Sequence, residues 1–203
     1  MTGTVFTLIR HPQPAVIGIC YGSLDVPLSE EGLQHARAIA EELAAEAFAA
    51  IYTSPLQRCA VTARMVAEGR ECPLETLDSL RELDFGCFEG RTFDDLARDY
   101  PDVYRRWMEA PTEVKFPGGE SYAALRTRVM SAVRELRVRH AGQSIALVTH
   151  GGVIRTLVAE VRGLDPGRMF EIEVPYGSIR RVTLPSDPDA PPFAPAATTP
   201  RSR

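Results

Sequence analysis

The sequence predicts a single α/β domain with helices on both faces of a sheet. Its 203 residues suffice for one domain with a substantial core, and a content of 44% apolar and 25% charged residues is ordinary for a soluble globular protein. Short apolar runs typical of buried strands alternate with segments in which apolar residues recur at helical spacing. This alternation is the pattern of an α/β fold.

The predicted elements follow one another along the chain as far as residue 184. Apolar runs predict strands over 5–9, 48–53, 74–77, 144–149, 171–174 and 179–184. Helical spacing predicts helices over about 30–43, 59–68, 93–100, 103–108, 122–136 and 153–161, with a short helix from Pro166. Ser29 is predicted to cap the first helix, and Gly163 is predicted to end the helix over 153–161.

Two segments depart from this regular pattern. Residues 78–120 combine an acidic, glycine-containing loop with two short helical patterns, and we expect them to form an insertion over the strand ends, where binding loops usually lie. Over residues 185–203, six of the 19 residues are proline and large apolar side chains are almost absent, which predicts a flexible tail. The predicted domain therefore spans 1–184.

Charge and cysteine content narrow the class of protein. A net charge of -4 and a pI of about 5.6 do not indicate the basic surface that binds nucleic acid. A local positive potential can still bind a small anion. The sequence shows neither a secretory signal nor an apolar stretch of membrane length. The four cysteines have no zinc-ligand spacing and are expected to be reduced: Cys20, Cys59, Cys72 and Cys87. We therefore expect a cytoplasmic protein with no metal site and no nucleic-acid or membrane partner.

Basic side chains follow three of the predicted strands: Arg10-His11, Arg58 and His150. Ligands of open α/β sheets bind beyond the carboxyl ends of the strands, guanidinium groups bind phosphate oxygens well, and histidine is a known covalent nucleophile. Gly151 and Gly152 let backbone N–H groups approach an anion where a helix begins. The sequence thus predicts a phosphate pocket with a candidate nucleophile inside it. The other two histidines lie within or at the end of helical patterns and are expected at the surface: His35 and His140.

Four ordered motifs carry a resemblance to a known family. They are Arg10-His11, Ser54-Pro55-Leu56-Gln57-Arg58, Arg81-Glu82-Leu83-Asp84-Phe85-Gly86 with Glu89-Gly90, and Thr149-His150-Gly151-Gly152. In order and spacing they resemble the histidine phosphatase superfamily, which includes the cofactor-dependent phosphoglycerate mutases and many phosphatases. The resemblance covers about residues 4–184 and implies a three-layer α/β/α sandwich with a mostly parallel central sheet.

The same resemblance implies a role for each matching residue. His11 would be the nucleophile that becomes phosphohistidine, and Arg10, Arg58 and His150 would hold the phosphoryl oxygens, with Gly151 beside them. Glu82 matches the proton donor of the family. The residues alone do not select one acid in this loop, because three of them lie close together in the sequence: Glu82, Asp84 and Glu89. No cofactor is implied.

The first motif departs from the form that is common in the family. Arg-His-Gly-Glu-Thr is usual, whereas this chain has Pro12, Gln13 and Pro14 after the histidine. Proline at position 12 fixes φ and removes an N–H group. The imidazole and its arginine neighbour are retained, so activity is still expected.

The proline-containing motif also informs the expected substrate. Together with the segments 18–28 and 116–121, it resembles α-ribazole phosphatases of cobalamin biosynthesis. We therefore expect hydrolysis of a small phosphomonoester, α-ribazole 5′-phosphate, with the leaving group contacting the loop after the nucleophile and residues 92–120. The expected substrate-binding residues are Gln13, Cys20, Tyr21 and Gly22. The alternatives are a phosphatase of another metabolite, a phosphoglycerate mutase, or an inactive module that only binds a phosphorylated ligand. The oligomeric state stays open between a monomer and a homodimer.

Overall fold

A five-stranded sheet forms the centre of the molecule, in a computed structural model that describes residues 3–187. The strands are β1 (Gly3–Arg10), β2 (Ala50–Thr53), β3 (Leu74–Thr76), β4 (Ser144–Thr149) and β5 (Ile179–Pro185). Their order across the sheet is β3-β2-β4-β1-β5. The pairs β1/β4, β2/β4 and β2/β3 are parallel, and only β5 runs antiparallel, against β1. The sheet is therefore mostly parallel, as predicted.

Helices cover both faces of this sheet. They are α1 (Glu30–Glu42), α2 (Gln57–Ala67), α3 (Phe93–Asp99), α4 (Pro101–Glu109), α5 (Tyr122–Arg139) and α6 (Gly151–Arg162), with 3-10 helices over Asp78–Leu80, Gly86–Phe88 and Pro166–Glu171. Buried side chains of α5 and α6 pack on one face of the sheet with Phe6 and Leu8. Those of α1 and α2 pack on the other face with Ile9 and Val148. The three-layer α/β/α sandwich is confirmed.

Local chemistry explains where several of these helices begin and end. The Ser29 side chain accepts a hydrogen bond from the amide of Gly32, so it caps α1 as predicted. Gly163 ends α6 in the left-handed conformation, with φ of 61°, which glycine adopts without steric cost. Thr92 caps α3 by accepting from the amide of Asp95.

The segment 78–120 lies next to the loop that follows β1. Its buried side chains form a small third core that also includes Cys20: Phe88, Leu96, Val114 and Phe116. Partly buried aromatic residues pack around this core, among them Phe85 and Trp107. Aromatic packing therefore fixes the place of this segment.

Two predictions about local structure are wrong. Residues 171–174 form no strand, because the 3-10 helix continues to Glu171 and the carbonyls of Ile172 and Val174 accept hydrogen bonds from arginine side chains. His140 is buried, whereas the prediction placed it at the surface. Its ring is held between the Tyr52 hydroxyl and Gln143, which satisfies both of its nitrogens. His35 is exposed, as predicted.

The predicted tail lies largely outside the described residues, since only 185–187 are described and β5 includes Pro185. No helix within residues 3–187 combines the length and the apolar character that crossing a membrane requires.

Candidate active site

The two motif histidines meet at the carboxyl ends of β1 and β4. These strands are neighbours, with Arg10 in register with Thr149, and the amide of His11 donates a 3.0 Å hydrogen bond to the Thr149 carbonyl. The ring centroids of His11 and His150 lie 5.2 Å apart in an edge-to-face arrangement. Both rings are buried, at 3% and 0% exposure. The parallel pairing of two strands that are distant in sequence therefore brings both histidines to one place.

Burial keeps both imidazoles neutral. Removal from water, and then the charge of Arg58, lower the pKa of His11 to about 3. Removal from water, and then the proximity of His11, also hold the pKa of His150 well below its usual range. Both rings are therefore uncharged at neutral pH.

The backbone fixes which nitrogen of His11 is basic. Nδ1 lies 2.8 Å from the carbonyl oxygen of Pro12. Because a carbonyl oxygen only accepts, the proton of the neutral ring belongs on Nδ1, and Nε2 keeps its lone pair. Proline at position 12 still supplies this carbonyl, although it has no N–H group. The departure from the common motif therefore leaves the orientation of the candidate nucleophile intact.

Two arginines with buried, unpaired Nε groups line this site. Arg58, in the first turn of α2, is 1% exposed and donates to the carbonyls of Leu24 and Gly22 at 2.9 and 2.8 Å. Arg10 donates to the Val174 carbonyl. Among the described residues, Nε of Arg10 and Nε of Arg58 are buried without a hydrogen-bond partner. Buried donors are rarely left unpaired, so this pattern fits an anion that would accept from them.

His150 is held by Ser54 of the second motif and by Cys59, which follows that motif. Its Nε2 lies 2.8 Å from the Ser54 hydroxyl and 3.4 Å from Sγ of Cys59, and both side chains are buried. Sequence reasoning noted Ser54 only as part of a motif and gave it no role. The hydroxyl orients the ring, as a partner outside the reacting groups commonly does for a functional histidine.

The structure separates the three acids that the sequence left open. Glu82 lines the pocket with both histidines, and its carboxylate accepts from the amides of Leu83 and Gly152. A Cβ at position 152 would overlap Oε1 of Glu82, so glycine there makes room for the carboxylate. Neither of the other two acids lines this pocket.

Asp84 and Glu89 hold loops in place. Glu89 accepts hydrogen bonds from the amides of Gly22, Ser23 and Leu24. Asp84 accepts from the hydroxyl of Ser23 and from the amide of Gly86. Their carboxylates therefore organise the loop that follows β1.

The site opens into a pocket of about 450 Å³. Its charged or titratable lining, here called the floor, consists of the two histidines, Glu82 and the three arginines Arg10, Arg58 and Arg155. The other large side chains of the lining, here called the walls, are apolar or aromatic: Ile17, Ile19, Tyr21, Phe85, Phe93, Trp107 and Tyr176. Three of the wall residues belong to the segment 78–120. A phosphoryl group fits the charged floor, and an apolar leaving group fits the walls.

The predicted substrate-binding residues divide into two pairs. Cys20 and Tyr21 line the pocket. Gln13 and Gly22 do not: the Gln13 carbonyl accepts from the Ser29 amide at the start of α1, and the Gly22 carbonyl holds Arg58. Gly151 is buried under Arg10 and does not line the pocket either.

Arg155 is a pocket residue that sequence reasoning missed. It follows Gly151 by one helical turn on α6, and a Cβ at position 151 would lie 3.0 Å from Nη1 of Arg155 and 3.4 Å from Cζ of Arg10. Its Nε donates to the Ile172 carbonyl at 3.0 Å. Burial, and then the charge of Arg10, lower the pKa of Arg155. The available clue was the spacing, because Arg155 follows Gly151 by four residues and therefore shares its helix face.

Comparison with known proteins agrees with this geometry. The family model of the histidine phosphatase superfamily (branch 1) matches residues 6–189. Phosphoserine phosphatase 1 of Hydrogenobacter thermophilus is 36% identical over 165 residues, covering 80% of this chain and 78% of that protein. The adenosylcobalamin/alpha-ribazole phosphatase of Salmonella typhimurium is 29% identical over 172 residues, covering 84% of this chain and 85% of that protein. The crystal structure of the alpha-ribazole phosphatase from Shigella flexneri superposes with a TM-score of 0.81 at 28% identity, covering 89% of this chain and 90% of that one.

The fold, the site and these relatives together define a hydrolase of phosphoric monoesters with a catalytic histidine. The chain belongs to the histidine phosphatase superfamily.

Proposed function

We propose that His11 attacks the phosphorus of a small phosphomonoester and becomes phosphohistidine. The observation that carries this proposal is the state of the ring: it is neutral, its Nδ1 proton is held by the Pro12 carbonyl, and its Nε2 lone pair is free. The bond from Nε2 to phosphorus forms as the ester P–O bond breaks. A water molecule then attacks the phosphohistidine and releases inorganic phosphate, which restores His11.

Glu82 supplies the proton that the leaving alkoxide needs. It is the one carboxylate of the pocket, and two backbone amides fix its position. After losing its proton it accepts one from the attacking water, so one carboxylate serves both steps.

Arg10, Arg58 and His150 stabilise the charge on the phosphoryl oxygens. Both guanidinium groups line the pocket together with the two histidines, so their N–H donors lie where a phosphoryl group would bind. A phosphate dianion beside His150 raises the pKa of that ring and favours the imidazolium, which adds a further donor. Cationic side chains thus supply the charge stabilisation in both steps.

The walls of the pocket favour α-ribazole 5′-phosphate as the substrate. This molecule carries its phosphate on a ribose that is attached to an aromatic base. Aromatic side chains in the pocket can make stacking and edge-to-face contacts with such a base, as Phe85, Phe93 and Trp107 would. Residues 78–120 accordingly act as a cover over the leaving group. The similarity to alpha-ribazole phosphatases supports the same substrate.

L-Phosphoserine is the second candidate. A relative named phosphoserine phosphatase is 36% identical to this chain. The pocket also holds Arg155, a third guanidinium, whose planar fork suits the carboxylate of an amino acid.

A substrate panel and a trapping experiment test the proposal. We expect kcat/KM for α-ribazole 5′-phosphate to exceed that for 3-phosphoglycerate by about 10-fold, equivalent to about 1.4 kcal/mol of differential transition-state binding. L-phosphoserine is compared with phosphoethanolamine, which lacks only the carboxylate, and a preference for phosphoserine above α-ribazole 5′-phosphate would select the second candidate. Isomerisation of 3-phosphoglycerate would indicate a mutase.

Rapid quench with labelled substrate should trap an acid-labile, base-stable phosphoenzyme in the unsubstituted protein and none in His11→Ala. Label retained by His11→Ala would place the nucleophile elsewhere, with His150 as the next residue to substitute.

A further inference from the structure

Two tyrosines from distant parts of the chain meet at the pocket. Tyr21 lies in the loop after β1, and Tyr176 lies in the turn before β5, 155 residues further on. Their hydroxyl oxygens are 2.6 Å apart, and both rings line the pocket. Burial, and then the hydrogen bond with Tyr176, raise the pKa of Tyr21, so this hydroxyl stays protonated at neutral pH.

Each of these rings also lies against one of the two phosphate-site arginines. Cζ of Arg10 is 3.9 Å from the centroid of the Tyr176 ring, and Cζ of Arg58 is 5.4 Å from that of Tyr21. Guanidinium groups are attracted to aromatic faces, and stacking restricts the plane of the fork. The Tyr176 ring also lies 5.5 Å from that of His11.

Backbone hydrogen bonds tie each tyrosine to its own half of the site. The amide of Gly177 donates to the His11 carbonyl at 3.2 Å, and the amide of Arg10 donates to the Ser178 carbonyl at 3.0 Å. Tyr176 is thereby fixed to the segment that carries Arg10 and His11. In the other half, the carbonyl of Gly22, next to Tyr21, accepts from Arg58.

We infer that Tyr21 and Tyr176 are positioning residues, whose shared hydrogen bond holds Arg10 and Arg58 at the separation needed to grip one phosphoryl group. This inference rests on the proposed role of the two arginines in binding phosphate. The side-chain link between the hydroxyls joins the two halves directly across the pocket. Loss of the link leaves both rings and both arginines present but lets their relative position vary.

The test compares Tyr21→Phe, Tyr176→Phe and the double variant. Each removes a hydroxyl and keeps the ring, so each breaks the same hydrogen bond. Tyr52→Phe is the matched control, because it also removes a buried hydroxyl bond, to His140, but outside the pocket. The readouts are kcat and KM for p-nitrophenyl phosphate, the inhibition constant of orthovanadate, which adopts the five-coordinate geometry of phosphoryl transfer, and the unfolding temperature.

We expect each single Phe variant to weaken orthovanadate inhibition by about fivefold, the size expected for one hydrogen bond, with a smaller change in KM. Orthovanadate should inhibit the double variant as strongly as it inhibits either single variant, because the second substitution breaks no further hydrogen bond. Tyr52→Phe should lower the unfolding temperature and leave orthovanadate inhibition unchanged.

Two results would overturn the inference. Additive losses in the double variant would mean that the hydroxyls act separately, and unchanged orthovanadate inhibition in both single variants would mean that the bond sets no geometry. A failure of the proposed function looks different, since the unsubstituted protein would then neither hydrolyse p-nitrophenyl phosphate nor bind orthovanadate.

Discussion

At the scale of single residues, neighbouring groups decide what each polar side chain can do. Glu82, Asp84 and Glu89 are acids of one loop, yet only Glu82 faces the pocket. The other two carboxylates accept hydrogen bonds from the loop after β1, and Asp84 also accepts from the amide of Gly86. Glu82 also accepts from two backbone amides, so what distinguishes it from the other two acids is that it faces the pocket.

The proton-donor role that we propose for Glu82 gives a prediction at this scale. Glu82→Gln should slow hydrolysis of an alkyl phosphate by about 100-fold or more, because an alkoxide needs protonation to leave. p-Nitrophenyl phosphate should lose much less, since its phenolate leaves without a proton. Steady-state kcat/KM for the two esters measures the difference. Asp84→Asn is the matched control and should affect both esters equally. Equal losses in Glu82→Gln would remove Glu82 from the acid role.

At the scale of elements, sequence patterns predicted those features that depend on local chemistry. The capping of α1 by Ser29 and the end of α6 at Gly163 each depend on one residue with a strong local preference. It was also predictable that the ends of β1 and β4 lie close together, because the carboxyl ends of parallel strands lie at the same edge of a sheet. The positions of the motif histidines followed from that rule.

Features that depend on tertiary partners escaped the sequence patterns. The segment 171–174 has the composition of a strand, but arginine side chains take its carbonyls. His140 is buried because Tyr52 satisfies a nitrogen that would otherwise need water. Arg155 joins the pocket beside Arg10, and its Nε donates to the Ile172 carbonyl. Each outcome depends on a contact between residues far apart in sequence, which periodicity does not reveal.

The helices α3 and α4 give a prediction at the element scale. Phe93 begins α3, lines the pocket and is 42% exposed, so its replacement should leave the core intact. Phe93→Ala should lower kcat/KM for α-ribazole 5′-phosphate relative to phosphoethanolamine by about fivefold, the value of one aromatic contact. Met108→Ala removes an exposed apolar side chain of α4 outside the pocket and serves as the control. An unchanged ratio in Phe93→Ala would show that this element does not touch the leaving group.

At the scale of the whole molecule, the buried histidine pair makes the folded state sensitive to acid. The pKa of His11 is about 3 in the folded protein, below the 6.5 of an exposed histidine. Between these values the unfolded chain binds a proton that the folded chain does not. Stability therefore rises with pH through this window and is lost as the pH falls.

This linkage is measurable by urea unfolding at two pH values. Between about pH 7.5 and pH 5.5, the unsubstituted protein should lose about 1 kcal/mol more of unfolding free energy than His11→Gln, which has no titrating ring. The comparison cancels the contribution of the carboxylates, which both proteins share. The same loss in both proteins would mean that His11 titrates normally in the folded state.

The order of strands in the sheet has a consequence for how the protein is made. Among the described strands, β1 is synthesised before the others, but its neighbours are β4 and β5, the last two of these strands to be synthesised. The segment that carries Arg10 and His11 must therefore wait, unpaired, until nearly the whole described chain has been synthesised. β2 and β3 can pair with each other earlier, but they contribute neither histidine. Such long-range pairing is slow to form. A nascent chain cut short before Ile179 would contain every side chain to which we assign a catalytic role and still lack one of the two strands that hold His11 in place.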